Sequence, residues 1–294
     1  MITAITIEAR RQATSITIEI IQLRGTLESY ASRPLIHTAP PTAATVRVVE
    51  EKIMFRPPWS PTVEPVADGV WLVRGDLKRG MNVYLLRDGD GVAAFDAGTR
   101  PMTKAIRKAA DDLGGLTRVI LGHSHTDHRG AAPGLGVPVY CHPDEVAFAE
   151  TDEWPDYWDM SKIEVGLVRR LYPTLHRRWD GGAVEIAGTL SEGDEVCGFR
   201  VVDFPGHSPG QIGLFRDSDR LALVSDTVYF ADAARLKPLD HPAVPHVAWN
   251  WDTERARESL RKLADLNPAK VCAGHSEPYD EPDLTDSLRA AADA

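Results

Sequence analysis

A chain of 294 residues with 43% hydrophobic content is long enough to bury one large core, and mixed or all-β architectures of this size commonly stay undivided. Its formal net charge of -10 argues against a broad nucleic-acid footprint, which needs clustered Lys and Arg. Cys141, Cys197 and Cys272 stand far apart in no CxxC spacing, which argues against a disulfide framework and a thiolate zinc cluster and fits a reducing cytosol.

Residues 1–53, from MITAITIEARRQ through the Pro/Thr/Ala stretch PLIHTAPPTAATV, share nothing with the later motifs, and Met54 reads as a domain start. They are expected to be a weakly packed extension, or the product of translation assigned too far upstream, ahead of one catalytic domain over 54–294. No apolar run approaches the roughly 18 residues of a membrane span, and the start lacks a secretory leader's basic end and apolar stretch. The expected setting is cytoplasmic, with no membrane partner.

Short β-rich runs bounded by Gly, Asp and Pro predict strands in VWLVRG at 70–75, MNVYLLRD at 81–88 and GVAAFDAGT at 91–99. MTKAIRKAADDL predicts a helix, and TRVILGH at 117–123 a buried strand that delivers its last residues to a loop. VPVYCHPDE predicts a further strand and a helix start, with Pro143 suited to a first helical turn. Residues 151–185, with Trp154, Trp158, Trp179 and the helical stretch SKIEVGLVRRLY, break the strand rhythm and read as an insertion near the site. Strands resume in FRVVDFPGHS, QIGLFRD and RLALVSDTVYF, before a helix at DTERARESLRKLADL and a final strand KVCAGH. Two β-rich halves covered by helices predict a layered sandwich of helix, sheet, sheet, helix.

The run HSHTDH at 123–128 follows an apolar strand directly. In a loop leaving a strand, His123 and His125 can point to one cation while Asp127 and His128 turn toward a second. His207 in FPGHSPG, Asp226 in LVSDTV and His275 in VCAGH each close another strand. The set predicts His123, His125 and His207 on one ion, Asp127, His128 and His275 on the other, and the Asp226 carboxylate bridging both. Such a pair keeps open positions and can acidify a shared water. Imidazole and carboxylate donors without thiolate make Zn2+ the first choice for two divalent ions, with Fe or Mn also suited. Asp127 is the expected proton carrier.

With this ligand set complete and in order, the chain resembles the metallo-β-lactamase superfamily over roughly residues 54–280. The resemblance implies an α/β fold, the four-layer αββα sandwich, with metals at one edge and usually hydrolysis. It also makes Asp96 in AFDAGT a candidate to orient a ligand. Tyr229, three residues after Asp226 as in acyl-homoserine lactonases, becomes a candidate donor to a substrate carbonyl or oxyanion. Secreted lactam-cleaving members usually lack the bridging carboxylate, and flavodiiron members put a carboxylate where His125 stands. Glyoxalase II adds a helical domain where only 276–294 follow the last ligand here, and the RNA-processing members need a gripping arm or inserted domain.

The expected activity is therefore attack on an ester, lactone or thioester carbonyl by a hydroxide bridging two metals. The expected partner is a small-molecule substrate rather than nucleic acid. Rival readings are a mononuclear iron persulfide dioxygenase, a phosphodiesterase or nuclease of the same superfamily, and a binding protein that kept metal without turnover. Of the other histidines, His37 lies in the extension, His142 reads as structural and His176, flanked by basic residues, as solvated. His241 and His246 in KPLDHPAVPHVAWNW are candidates to line the pocket, and Arg129 reads as a surface partner for a carboxylate, with an anionic substrate group as the alternative.

Overall fold

A computed structural model describes residues 62–75, 80–232 and 237–294, so the expected extension over 1–53 lies outside the described residues. The strands β1 (Thr62–Ala67), β2 (Val70–Gly75), β3 (Met81–Asp88) and β4 (Gly91–Phe95) run as an antiparallel meander. Beyond them β5 (Leu116–Ile120), β6 (Val139–Cys141) and β7 (Gly188–Thr189) add in parallel, completing a seven-stranded sheet. The second sheet places five strands in the order β14 (Lys270–Ala273), β11 (Leu221–Ser225), β10 (Ile212–Arg216), β9 (Phe199–Asp203) and β8 (Glu195–Val196). A separate ribbon pairs β12 (Tyr229–Asp232) with β13 (Lys237–Ala243).

Alternation of side chains along the strands explains the layering. On the first sheet Val73, Val83, Leu85, Val92, Ala94 and Val119 point outward, where Ile106, Ala109 and Ala110 of helix α1 (Thr103–Asp111) cover them. Their neighbours Leu72, Tyr84, Leu86, Ala93, Phe95 and Ile120 point inward and meet Phe199, Val201, Ile212, Leu214 and Leu223 of the second sheet. The far face of that sheet, Val202, Ala222, Val224 and Val271, is capped by Leu260 and Leu263 of the helix over Thr253–Asp265 and by Leu288 of the helix over Leu284–Asp293. The result is the helix, sheet, sheet, helix order expected from the sequence.

Four helices lie between. They are α2 (Thr126–Arg129), α3 (Ala132–Leu135), α4 (Val146–Ala149) and α5 (Gly166–Trp179); α6 (Thr253–Asp265) and α7 (Leu284–Asp293) are the two caps already described. The predicted helix SKIEVGLVRRLY is displaced: residues 160–162 form a single 3-10 turn, and α5 starts only at Gly166 and runs past Pro173 to Trp179. Pro173 reads as a stop because it lacks an N–H. The helix continues because Tyr172 and His176 lie on one buried face that packs with Trp158, Ala248 and Trp249. Among the described residues no helix is long and apolar enough to cross a membrane.

Candidate metal centre

The C-terminal ends of β4, β5, β9, β11 and β14 all open toward one end of the sandwich, because β4 and β5 are parallel, as are β11 and β14, and β9 lies two antiparallel steps from β11. Asp96 follows β4, His123 follows β5, His207 follows β9, Asp226 follows β11 and His275 follows β14. Close approach of the two sheets at this point requires glycine. A Cβ on Gly122 would stand 2.5 Å from Ser225 Cβ, and one on Gly274 would stand 2.5 Å from Asp226 Oδ1. Ile212 N donates to Gly122 O at 2.8 Å, tying the second sheet to the histidine loop.

Helix α2 is a single turn capped by His125, and it brings His128 back beside His123 with ring centroids 4.1 Å apart. His123, His125 and His207 surround one point, their centroids 4.5 to 4.9 Å apart. Three groups each present ligand atoms within 4.8 Å of one another: His123, His125 and His207; His123, His128 and Asp226; and Asp127, His128 and His275. All seven residues proposed from the sequence thus converge, with Asp226 Oδ2 3.5 Å from His207 Nε2 and 3.4 Å from His275 Nε2.

Each imidazole has one nitrogen engaged by an orienting partner. His123 Nδ1 meets Ser225 Oγ at 3.0 Å, His128 Nδ1 meets Asp96 Oδ2 at 2.8 Å, His207 Nδ1 meets Asn250 Oδ1 at 3.0 Å, and His275 Nδ1 meets Gly80 O at 2.9 Å. His125 is the exception in using Nε2, which lies 2.8 Å from Tyr157 Oη. The opposite nitrogens of His123, His128 and His207, and Asp226 Oδ1, are buried and make no well-formed hydrogen bond, His128 Nε2 and Asp226 Oδ1 facing each other at 3.3 Å. An unsatisfied buried polar atom costs about 1–3 kcal/mol, and four gathered in two overlapping donor groups match a cation site rather than a packing accident. Imidazole and carboxylate donors held from behind fit divalent zinc, iron or manganese.

The electrostatics agree. Burial and the neighbouring imidazoles hold His123 and His125 well below the usual histidine range, and burial also lowers His207, so their nitrogens stay neutral donors. Burial opposes charge on His128 too, but the Asp226, Asp96 and Asp127 carboxylates prevail and push it well up. His275 rises to about 9 against its burial, drawn up chiefly by Asp226. Asp226 itself sits well below the carboxylate range despite burial, because His275 and His128 favour its charge. The centre therefore gathers positive charge around its carboxylates.

Asp96 stands behind His128. Besides His128 it accepts from Gly122 N at 2.7 Å and from Ser225 Oγ at 2.7 Å, and its backbone takes φ 61° to do so. Tyr229 is buried and donates to Asp226 Oδ2 at 2.9 Å. Partners that sequence reasoning missed are Asn250, Ser225, Tyr157 and Glu145. Glu145 is buried and accepts from Ser124 N at 2.8 Å and Gly210 N at 2.9 Å, joining the histidine loop to the loop that carries His207. Only the Trp-rich stretch that contains Tyr157 carried any signal, since it was placed near the site.

Two readings are corrected. Arg129 is 2% exposed, not a surface residue: its guanidinium donates to the carbonyls of Phe148, Ala149 and Thr151 at 2.6 to 3.0 Å and lies 3.6 Å from Asp180. His176 is 2% exposed rather than solvated, with its ring 4.5 Å from Trp154 and 5.5 Å from Trp158. Its basic neighbours Arg177 and Arg178 point the other way on α5 and are exposed. His142 is structural as expected, its Nδ1 accepting from Asp144 N at 3.2 Å. His241 is exposed on β13, and His246 packs 5.2 Å from Trp249.

Comparison with known proteins places this geometry. The profile of the Metallo-beta-lactamase superfamily matches residues 78–275. A probable metallo-hydrolase of Bacillus subtilis is 29% identical over 219 residues, covering 67% of this chain and 81% of that protein. A hydroxyacylglutathione hydrolase of Cereibacter sphaeroides is 26% identical over 204 residues, covering 66% of this chain and 65% of that protein. In structure, a metallo-β-lactamase family protein of Thermus thermophilus superposes with a TM-score of 0.54 at 23% identity, over 78% of each chain, which is a likeness of fold.

Proposed function

Because the chain belongs to the metallo-β-lactamase superfamily, we propose that it is a dinuclear metal-dependent hydrolase that cleaves an ester, lactone or thioester bond in a small molecule. The observation that carries this reading is the convergence of unpartnered buried donors on His123, His128, His207 and Asp226, with His125, Asp127 and His275 around them. One ion would rest on His123, His125 and His207, the second on Asp127, His128 and His275, with Asp226 shared between them. Zinc is the first choice. When bound, such ions supply Lewis-acid polarisation of a carbonyl and water acidic enough to react near neutral pH.

The chain's own groups set the geometry and move the proton. Asp127 is partly exposed beside His275, 3.6 Å from its Nε2, and this carboxylate is placed to take the proton from attacking water and return it to the leaving group. Asp96, Asn250 and Gly80 hold His128, His207 and His275 in the tautomer that offers Nε2. Tyr229 donates its hydroxyl proton to Asp226 Oδ2 at 2.9 Å, and it would meet a substrate oxygen only by giving up that bond. The relatives in Bacillus and Cereibacter support hydrolysis, and the second of them favours a thioester.

The test is metal analysis of the purified protein, followed by a panel of lactones, thioesters, aryl esters and phosphodiesters. Asp226→Ala and His125→Ala are each expected to lose metal occupancy and nearly all turnover. A protein that takes up no transition metal under any loading condition, or full activity in both variants, would remove the reading.

A further inference from the structure

The ligands of the three-histidine ion come from two loops. His123 and His125 flank Ser124 in the loop after β5, and His207 precedes Gly210 in the loop after β9. Where the strands end, the loops are joined by Ile212 N donating to Gly122 O. Nearer the ligands, one side chain spans them. Glu145 Oε2 accepts from Ser124 N at 2.8 Å, and Glu145 Oε1 accepts from Gly210 N at 2.9 Å.

Glu145 is 1% exposed, and a glutamate is seldom buried so fully unless its oxygens are bonded. Its backbone is tied on both sides: Glu145 N donates to His142 O at 3.0 Å, and Ser124 Oγ donates to Glu145 O at 3.2 Å. Gly210 lets the second loop come this close, because a Cβ there would stand 2.6 Å from His142 Nδ1 and 3.1 Å from Glu145 Cγ. We propose, resting on the two-ion reading above, that Glu145 is the positioning residue of the three-histidine ion: one buried carboxylate, with an oxygen on each loop, sets the distance of His207 from His123 and His125.

The role needs a carboxylate because two backbone N–H groups must each meet an acceptor. Glu145→Gln keeps one oxygen, so its amide N–H faces either Ser124 N or Gly210 N. Whichever way the amide turns, the loop released carries ligands of the same ion. His128 and His275 are held by Asp96 and Gly80 instead, so the second ion keeps its support. Loss of a negative charge alone is tested at Glu150, which is exposed and accepts from Ile186 N at 3.1 Å, a bond that glutamine retains.

The experiment measures both zinc dissociation constants of the full chain by chelator competition, for the wild type, Glu145→Gln, Gly210→Ala and Glu150→Gln. Glu145→Gln and Gly210→Ala are each expected to weaken one zinc by about 10–100-fold, the usual effect of losing an outer partner of a metal site, and to leave the other within about threefold. With one zinc per chain, the ring signals of His128 and His275 should keep their zinc-bound NMR shifts in both variants, while those of His125 and His207 return to their metal-free positions. Glu150→Gln removes a screened surface charge, so both constants should stay within about threefold. In the metal-free wild type the Ser124 and Gly210 amides should exchange with solvent about 100-fold or more below the unprotected rate. This last measurement stands even if the variants at 145 and 210 fail to fold.

Unchanged zinc affinities in Glu145→Gln or Gly210→Ala would overturn the proposal, as would equal weakening of both ions, the same loss in Glu150→Gln, or unprotected amides at 124 and 210. Zinc binding is read without substrate. A wild type that binds two zinc ions but hydrolyses nothing on the panel would thus sink the proposed hydrolysis alone, and one that binds fewer than two would sink both.

Discussion

Asp96→Asn isolates the contribution of one orienting carboxylate. Asp96 is 1% exposed and accepts three hydrogen bonds, from Gly122 N at 2.7 Å, Ser225 Oγ at 2.7 Å and His128 Nδ1 at 2.8 Å. Asparagine tolerates the left-handed backbone that Asp96 adopts at φ 61°, so the substitution adds little conformational strain. Its amide keeps a single acceptor oxygen. Whichever way the amide turns, an N–H faces either the Gly122 amide or the donors from Ser225 and His128. Each hydrogen bond to a charged group contributes about 1.5–3 kcal/mol, so losing one or two of them lowers stability by ~2–5 kcal/mol. The same change frees His128 to hold its proton on Nε2, where it blocks the cation. Affinity for the ion on His128 should fall about 10–100-fold, while the three-histidine ion stays. Urea unfolding of chelator-treated protein measures the first effect and zinc stoichiometry the second. Two ions bound at native affinity would show that His128 does not depend on Asp96, and the account of the orienting shell would fail.

Arg129→Ala removes the donor to one buried and two part-buried carbonyls and the partner of Asp180, and an unsatisfied buried polar group costs about 1–3 kcal/mol; an unchanged urea midpoint would contradict the clamp. His275 rises to about 9, so below that pH a proton competes with the cation for its Nε2. Zinc affinity at that ion should therefore fall at least roughly tenfold per unit as pH drops from about 9 toward 6, with at least one proton released per ion bound near pH 7, because His128 beside it is pushed up as well. A pH-independent affinity, or no proton release in calorimetry across buffers, would contradict it. In chelator-treated protein the same shift works in the opposite direction: the folded state holds a proton that the unfolded state sheds near pH 6.5. Its stabilising share is full below that pH and is lost as pH rises through about 9.

The candidate ligands were legible because His123, His207, Asp226 and His275 each follow a strand, and a strand end is set by a local pattern. The apolar run before His123 and the Gly-bounded runs before His207, Asp226 and His275 announce where side chains emerge, and parallel neighbours bring those ends together. The partners behind the ligands were not legible. Asn250 lies in an irregular stretch and meets His207 across 43 positions, and Tyr157 meets His125 across 32, so no spacing rule connects them. Arg129 and His176 were misread for a related reason. Arginine is mostly exposed, but the carbonyls of 148, 149 and 151 supply a buried acceptor set that only tertiary folding assembles. His176 has basic neighbours in sequence, yet on a helix residues 172 and 176 share a face that 177 and 178 do not.

Asp96 and Ser225 show why the site and the sandwich stand or fall together. Both are non-glycine residues with positive φ, 61° and 45°, a conformation that costs on the order of 1–3 kcal/mol each. They close β4 of one sheet and β11 of the other, and Ser225 Oγ donates to Asp96 Oδ2 across the junction. The same two side chains hold His128 and His123. Nothing larger than glycine fits at position 122 between them, so the junction cannot relax by spreading without moving both histidines. A cation drawn to those histidines therefore acts on the joint between the sheets. Metal binding and sheet packing are linked through two strained residues, so bound metal stabilises the fold by mass action.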